Sequence, residues 1–310
     1  MTLSTRPILS KTKVVKVLAE TTIGIYIAAT QAIYFEDSKM VCTGPFIPRN
    51  GDGKYLGHGQ PGVIGELSGK FTGSCEMRGN GTTGCEAGLA ILLQCCRLVK
   101  STEVYQIHSN HANDKTCTIE MWESGRKKCL TGASGTFKIK GSNGGRIMLD
   151  FEFQGSWVAP IDEAIPTWTP STDKPFMAKG GVFTLATNAI KISEFEFDMG
   201  CVLVPRRDIV ATSGINYVLA ANAEPMFSCD PEAHLISSYD YHGLWLAGTE
   251  AAVVLTVQNA ITKCTISLPK LQYREVPEED RDGILIHRLN GQCNQSSGDD
   301  SVVLTFAGVA

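Results

Sequence analysis

The stretch CTIEMWESGRKKCLTGASGTFKIKGSNGGRIMLDFEFQG, residues 117–155, decides the fold class. Apolar and polar side chains alternate on either side of Glu123-Ser124-Gly125-Arg126, whose composition suits a tight turn. The pattern repeats around Gly141-Ser142-Asn143-Gly144-Gly145. Two successive hairpins are expected, 116–122 with 127–131 and then 135–140 with 146–153. A period of two sends alternate side chains to opposite faces, which is the signature of a half-buried sheet. The turn at Gly132-Ala133-Ser134-Gly135 separates the two hairpins in this reading.

Working outward, strands are expected at 12–19, 24–28, 32–35 and 70–77. One clear helix is expected at 85–99, where Leu89, Leu92, Leu93 and Cys96 share a face. Glu86 near its start and Arg97 near its end suit the helix dipole. Residues 43–69 form a long connection rich in Gly and Pro, and a connection of that length has a task of its own. Four of the thirteen prolines fall between 157 and 179, which reads as a stiff linker. Beyond it, strands are expected at 191–197, 201–205, 217–221, 244–246, 252–257, 262–268, 283–289 and 301–306. A short helix is expected at 231–238, with Asp230 as its cap and Pro231 as its first residue.

The two halves echo each other. Ala29-Thr30-Gln31-Ala32-Ile33 returns as Ala186-Thr187-Asn188-Ala189-Ile190, and Ser74-Cys75-Glu76 as Ser228-Cys229-Asp230. Phe153-Gln154-Gly155 returns as Phe306-Ala307-Gly308, while Lys128-Cys129 matches Lys263-Cys264 only at a shorter offset. Matches in order near one offset point to a tandem duplication. The reading gives a first domain at 1–155, a linker at 156–179 and a second domain at 180–310.

Length, 43% hydrophobic residues and 19% charged residues describe a globular chain with a real core. No apolar run reaches the roughly 18 to 20 residues of a membrane helix, and Lys11, Lys13 and Lys16 interrupt any secretory signal. A net charge of −4 argues against a general nucleic-acid binder. That charge is divided: residues 1–155 hold 18 Lys+Arg and 13 Asp+Glu, for +5, and residues 156–310 hold 10 and 19, for −9. Eleven cysteines without a Cys-x-x-Cys spacing read as free thiols of a reducing cytosol.

No catalytic, cofactor or metal constellation emerges. Gly57-His58-Gly59-Gln60-Pro61-Gly62 has the letters of a dinucleotide loop but no helix after it. His108, His111 and Asp114 fit a solvated loop as well as a metal site. Glu275, Glu278, Glu279, Asp280 and Asp282 read as a charged surface loop. The expectation is a protein without enzymatic activity and without cofactor or metal.

The chain resembles the tail tube proteins (major tail proteins) of long-tailed, siphovirus-like bacteriophages. The likeness rests on KVLAETTIG (16–24) with ATQAI, on GSCEMRGNGTTGCEAGLAILLQCCRL (73–98), and above all on the double hairpin 117–155 ending in Phe-x-Phe-x-Gly. RDGI (281–284) and GDDSVVLTF (298–306) extend it into the second half. The resemblance implies a mainly β chain of tandem sandwich or barrel domains, each with a short flanking helix. It implies rings of copies stacked into a tube, a conduit for genome ejection, in the virion tail and assembled in the host cytoplasm. Partners would be further copies, tape measure, terminator and distal tail proteins, and passing double-stranded DNA without specific binding; no membrane is involved. The duplication favours a trimeric, pseudo-hexameric ring over a hexamer of chains, with a net negative lumen. The 43–69 connection would serve ring stacking, with Asp52, Lys54, Tyr55 and His58 as inter-ring contact candidates. The alternative is a phage adhesin or carbohydrate-binding β-sandwich, although Trp122, Trp157, Trp168 and Trp245 are scattered rather than grouped as a sugar platform.

Overall fold

The computed structural model describes residues 8–51, 60–169 and 171–309. The chain is mainly β, with large antiparallel sheets and two helices. The first half runs β1 (Lys13–Ala19), β2 (Gln31–Ile33), β3 (Phe35–Thr43), β4 (Phe46–Arg49), β5 (Gln60–Ile64) and β6 (Ser68–Glu76). Helix α1 (Ala87–Gln94) follows, then β7 (Leu98–Ser101), β8 (Val104–Ile107), β9 (Cys117–Glu123), β10 (Arg126–Ser142) and β11 (Met148–Asp162). The second half runs β12 (Met177–Leu185), β13 (Asn188–Ala189), β14 (Glu194–Asp198), β15 (Cys201–Arg207), β16 (Ile215–Ala223) and β17 (Met226–Cys229). It closes with α2 (Tyr241–Leu246), β18 (Glu250–Gln258), β19 (Thr262–Glu275), β20 (Glu278–Arg281), β21 (Ile284–His287), β22 (Leu289–Asn294) and β23 (Val303–Gly308).

Strand pairing follows the same itinerary twice. In the first half neighbours run β2-β1-β9-β10-β11-β6-β3. In the second they run β13-β12-β18-β19, then β22 and β23 sharing the far side of β19, then β17 and β14. Between the third strand and its return, each half inserts a separate hairpin, β4–β5 or β15–β16. The correspondence extends to single residues. Phe35, Cys75 and Leu149 stand side by side across β3, β6 and β11. Phe195, Cys229 and Leu289 stand side by side across β14, β17 and β22.

The halves are joined edge to edge. Residues 126–133 of β10 pair with β9, and residues 138–142 of the same strand pair with β14. A second bridge pairs β8 with β23. At the β10–β14 seam Phe197 is fully buried, its ring centroid 5.9 Å from that of Phe137. One apolar cluster runs through both halves. Helix α1 contributes Leu89, Leu92 and Leu93, and its Gly88 lies so close to Ile33 that an added Cβ would fall 2.4 Å from that side chain.

Several expectations need correcting. The helix ends at Gln94, because the chain turns at Arg97 with φ +67° and Arg97 then bonds Asp114 at 2.8 Å and the Ala220 carbonyl at 3.1 Å. Residues 24–28 form no strand. Their polar groups are taken instead by buried side chains, with Gly24 N–H on Glu20 at 2.8 Å, Tyr26 OH on Glu120 at 2.8 Å and Ile27 N–H on the Thr118 hydroxyl at 3.2 Å. Gly132-Ala133-Ser134-Gly135 is an irregularity inside β10 rather than a turn, with Gly132 at φ +57° donating to Glu20 at 2.7 Å. Asp230 caps no helix: its buried carboxylate accepts the N–H groups of Ser193 and Glu194 at 2.7 and 2.8 Å and pairs with Arg281. The second helix lies later, over the expected strand 244–246, with Asp240 accepting from Gly243 N–H. The reading that starts the linker at 156 cuts into β11, which runs on to Asp162 against β10.

The eleven cysteines are free thiols, nine buried and Cys42 and Cys201 partly exposed. Removing the Phe197 ring opens a cavity at the seam, so Phe197→Ala should lower unfolding free energy by about 3–5 kcal/mol. Urea denaturation of the full chain measures it, and a loss below about 1 kcal/mol would contradict the packing.

Candidate functional site

Three adjacent rows of residues cross eight strands from β3 through β6, β11, β10, β14, β17 and β22 to β19. The middle row is Phe35, Cys75, Leu149, Ile139, Phe197, Phe227, Gly291 and Tyr273. Apart from the half-buried Phe35 these positions are buried, so this row faces the core. Because the pleat alternates, the flanking rows face the other way. One carries Glu36, Ser74, Asp150, Lys138 and Asp198; the other carries Glu76, Met148, Lys140, Glu196, Ser228, Asn290 and Glu275. Together they floor a cleft of about 920 Å³ that spans both halves.

The cleft is charged and predominantly acidic. Its lining includes Glu36, Asp37, Asp150, Glu194, Glu196, Asp198 and Glu275 against Lys140, Arg146 and Arg288. Lys138 crosses the seam to Asp198 at 2.8 Å and Glu196 at 2.9 Å, and Lys140 reaches Asp150 at 3.0 Å. Arg146 bridges Glu36 and Glu76 at 2.8 and 2.6 Å. Donating hydrogen bonds to Asp198 and Glu196 raises the Lys138 ammonium above its ordinary range. Burial works to raise the Asp150 and Glu76 carboxyls, but donors outweigh it and hold both below the usual carboxylate range. For Asp150 these are Ser74 and Lys140; for Glu76 they are Arg146 and Arg78. Neighbouring bases neutralise these acids in part and leave an excess of carboxylates on the wall. The Ser74 hydroxyl donates to the Asp150 carboxylate at 2.5 Å on this wall.

The residues singled out from the sequence fare unevenly. Asp52, Lys54, Tyr55 and His58 lie outside the described residues, as does the first half of the glycine motif 57–62, whose second half, Gln60-Pro61-Gly62, opens β5. The connection 43–69 contains the β4–β5 hairpin, whose Phe46, Ile47, Val63 and Ile64 are exposed. His108 and His111 do converge on Asp114, at 3.9 and 3.0 Å, but Arg97 already occupies that carboxylate at 2.8 Å and would repel a cation. The acid-rich 275–282 segment is partly strand, with Glu279 paired to Arg288. What the sequence did not reveal is a group of His242, Glu278 and His287, whose donor atoms lie within 4.8 Å of one another. Glu278 stands directly opposite His287 in the β20–β21 hairpin, and burial lowers the His287 pKa. Two imidazoles and a carboxylate are a donor set suited to a divalent ion of the zinc class.

No helix among the described residues is long and apolar enough to cross a membrane. No protein-family model matches the chain, and comparison with curated proteins finds no match.

The depressed carboxyls set the acid behaviour of the wall. A group held below its unfolded value contributes stability that is present above the unfolded value and is lost as pH falls through the folded value. Carbon-13 titration should therefore place the Asp150 midpoint below about 3.9, and Ser74→Ala should move it upward. A midpoint above about 4, or one indifferent to Ser74, would contradict the assignment.

Proposed function

We propose that this chain is a structural virion protein of the tail-tube type, whose copies join head to tail into rings and whose rings stack into a conduit for DNA. One observation carries the reading: the sheet that floors the acidic cleft passes from one repeat into the next through the β10–β14 seam, and it leaves unpaired backbone along the outer edge of β3 and at the last residues of β19. Among the described residues β3 pairs only with β6, and the segment after Tyr273 in β19 has no strand on its outer side. The two ends are closed provisionally by side chains. Lys13 Nζ donates to the Ser38 carbonyl at 2.7 Å, and Trp245 Nε1 donates to the Arg274 carbonyl at 2.9 Å. Open edges covered by long side chains are the form that a sheet takes when pairing must wait for the right neighbour.

Each repeat supplies four strands to the cleft wall: β3, β6, β11 and β10, then β14, β17, β22 and β19. Three chains would give 24 strands. At about 4.8 Å per strand and a tilt of about 40°, such a wall closes at roughly 45–50 Å across its backbone, enough for a DNA duplex. The acidic lining suits passage, because a wall of unpaired Lys and Arg would hold phosphates by counterion release. The exposed β4–β5 hairpin is the counterpart of β15–β16, which packs on β10 and β11 of the preceding repeat. By the same geometry β4–β5 of one copy belongs against the second repeat of the next.

Negative-stain microscopy of the purified chain tests the reading: rings or tubes with three chains per ring are expected, and dispersed monomers at all concentrations would end it. Phe46→Asp should leave the melting midpoint of the isolated chain unchanged and abolish tubes. Tubes of normal yield from that variant would remove β4–β5 from the interface.

A further inference from the structure

The internal repeat fixes more than the number of strands; it fixes the register of the joint between copies. This inference rests on the head-to-tail reading above. Within one chain, Ser74 lies between Glu36 and Asp150, and Ser228 lies between Glu196 and Asn290. The next residue across from Asp150 is Lys138, and the next across from Asn290 is Glu275. Glu275 therefore occupies in the second repeat the place of Lys138 in the first. At the other end of the joint, Asp198 lies opposite Met226, two residues before Ser228, and Lys39 lies opposite Thr72, two residues before Ser74. Lys39 occupies the place of Asp198. The irregularity of β3 between Glu36 and Lys39 is absorbed in this count, because the count runs along β6.

We propose that copies of this chain join by pairing β3 of one with the end of β19 and the residues after it in the next, locked by an ion pair between Lys39 and Glu275. The intrachain seam has a lysine on the β10 side and an acid on the β14 side, 2.8 Å apart. The interchain joint has the same pair with the polarity reversed. Lys39 and Glu275 are both exposed, and neither has an oppositely charged partner among the described residues. Reversal explains why the two kinds of joint do not exchange. Docking β3 on β10 would set Lys39 against Lys138, and docking β14 on β19 would set Asp198 against Glu275. Like charges directly opposite on neighbouring strands repel, and such repulsion is an efficient way to discriminate between similar partners. The pair thus dictates alternation: first repeat, second repeat, first repeat, around the ring.

The test is charge exchange in the full-length chain. Lys39→Glu and Glu275→Lys each alter an exposed side chain, so both should fold with the melting midpoint of the parent. Each should raise the concentration needed for assembly at least tenfold, followed by sedimentation and microscopy. The double variant, which restores opposite charges with exchanged positions, should assemble within a few-fold of the parent. Assembly of the parent with single variants unaffected, or with a double variant no better than the singles, overturns the ion pair while leaving the ring reading standing. A parent that forms no assemblies at any concentration overturns both.

Discussion

Strand β10 is engaged along both edges and changes partner partway: β9 holds its first part, β14 its last, and β11 runs along the other side throughout. Everything else in the molecule is placed by that arrangement. The change of partner happens at the irregularity near Gly132, where a backbone N–H that leaves the ladder is received by the buried Glu20 carboxylate at 2.7 Å. Glu20 also accepts the hydroxyls of Thr116 and Thr118 at 2.6 and 3.0 Å. A buried carboxylate is tolerated only when its lone pairs are filled, and here they are filled by the segments that must separate for β14 to reach β10. The seam then carries one apolar row continuously across both repeats, so the two halves share a core instead of merely touching.

A wall built this way has a simple division of labour. Alternate residues of the same strands face the core and the cleft, so Phe197 and Ile139 stabilise the sheet while Asp198, Lys138 and Lys140 determine what the cleft repels. The charged pairs on the wall are partly exposed, and exposed ion pairs contribute little to stability. Their value lies in register and in the sign of the surface.

Much of the fold was legible in the sequence because hairpins are local. The Glu123–Arg126 and Gly141–Gly145 turns announce themselves, and β9 and β11 begin where alternation puts them, whereas the two strands expected at 127–131 and 135–140 are one, β10. Signals failed where a distant partner decided the outcome. Asp230-Pro231 has the letters of a helix start, but Ser193, Glu194 and Arg281, far away in sequence, claim the carboxylate. Cys95, Cys96 and Arg97 extend a helical pattern that the chain abandons so that Arg97 can reach Asp114. The repeat was visible at Ser74-Cys75-Glu76 and Ser228-Cys229-Asp230, which do end β6 and β17. Phe153 and Phe306 mislead: counted along β11 and β22 from Leu149 and Leu289, Phe153 corresponds to Cys293, whereas Phe306 lies in β23. The cleft itself was illegible, since Glu36, Ser74, Asp150, Lys138 and Asp198 become neighbours only through pairing across five strands. The same holds for His242, Glu278 and His287.

The central claim is that one sheet runs through the seam inside the chain and continues unchanged between chains. Hydrogen exchange measured on the free chain and on its assemblies addresses it directly. The account predicts that amides of β14 at the seam are protected in both states, whereas amides of residues 34–39 and 275–279 exchange readily in the free chain and become protected on assembly. Assemblies in which those two segments exchange as fast as in the free chain would contradict it.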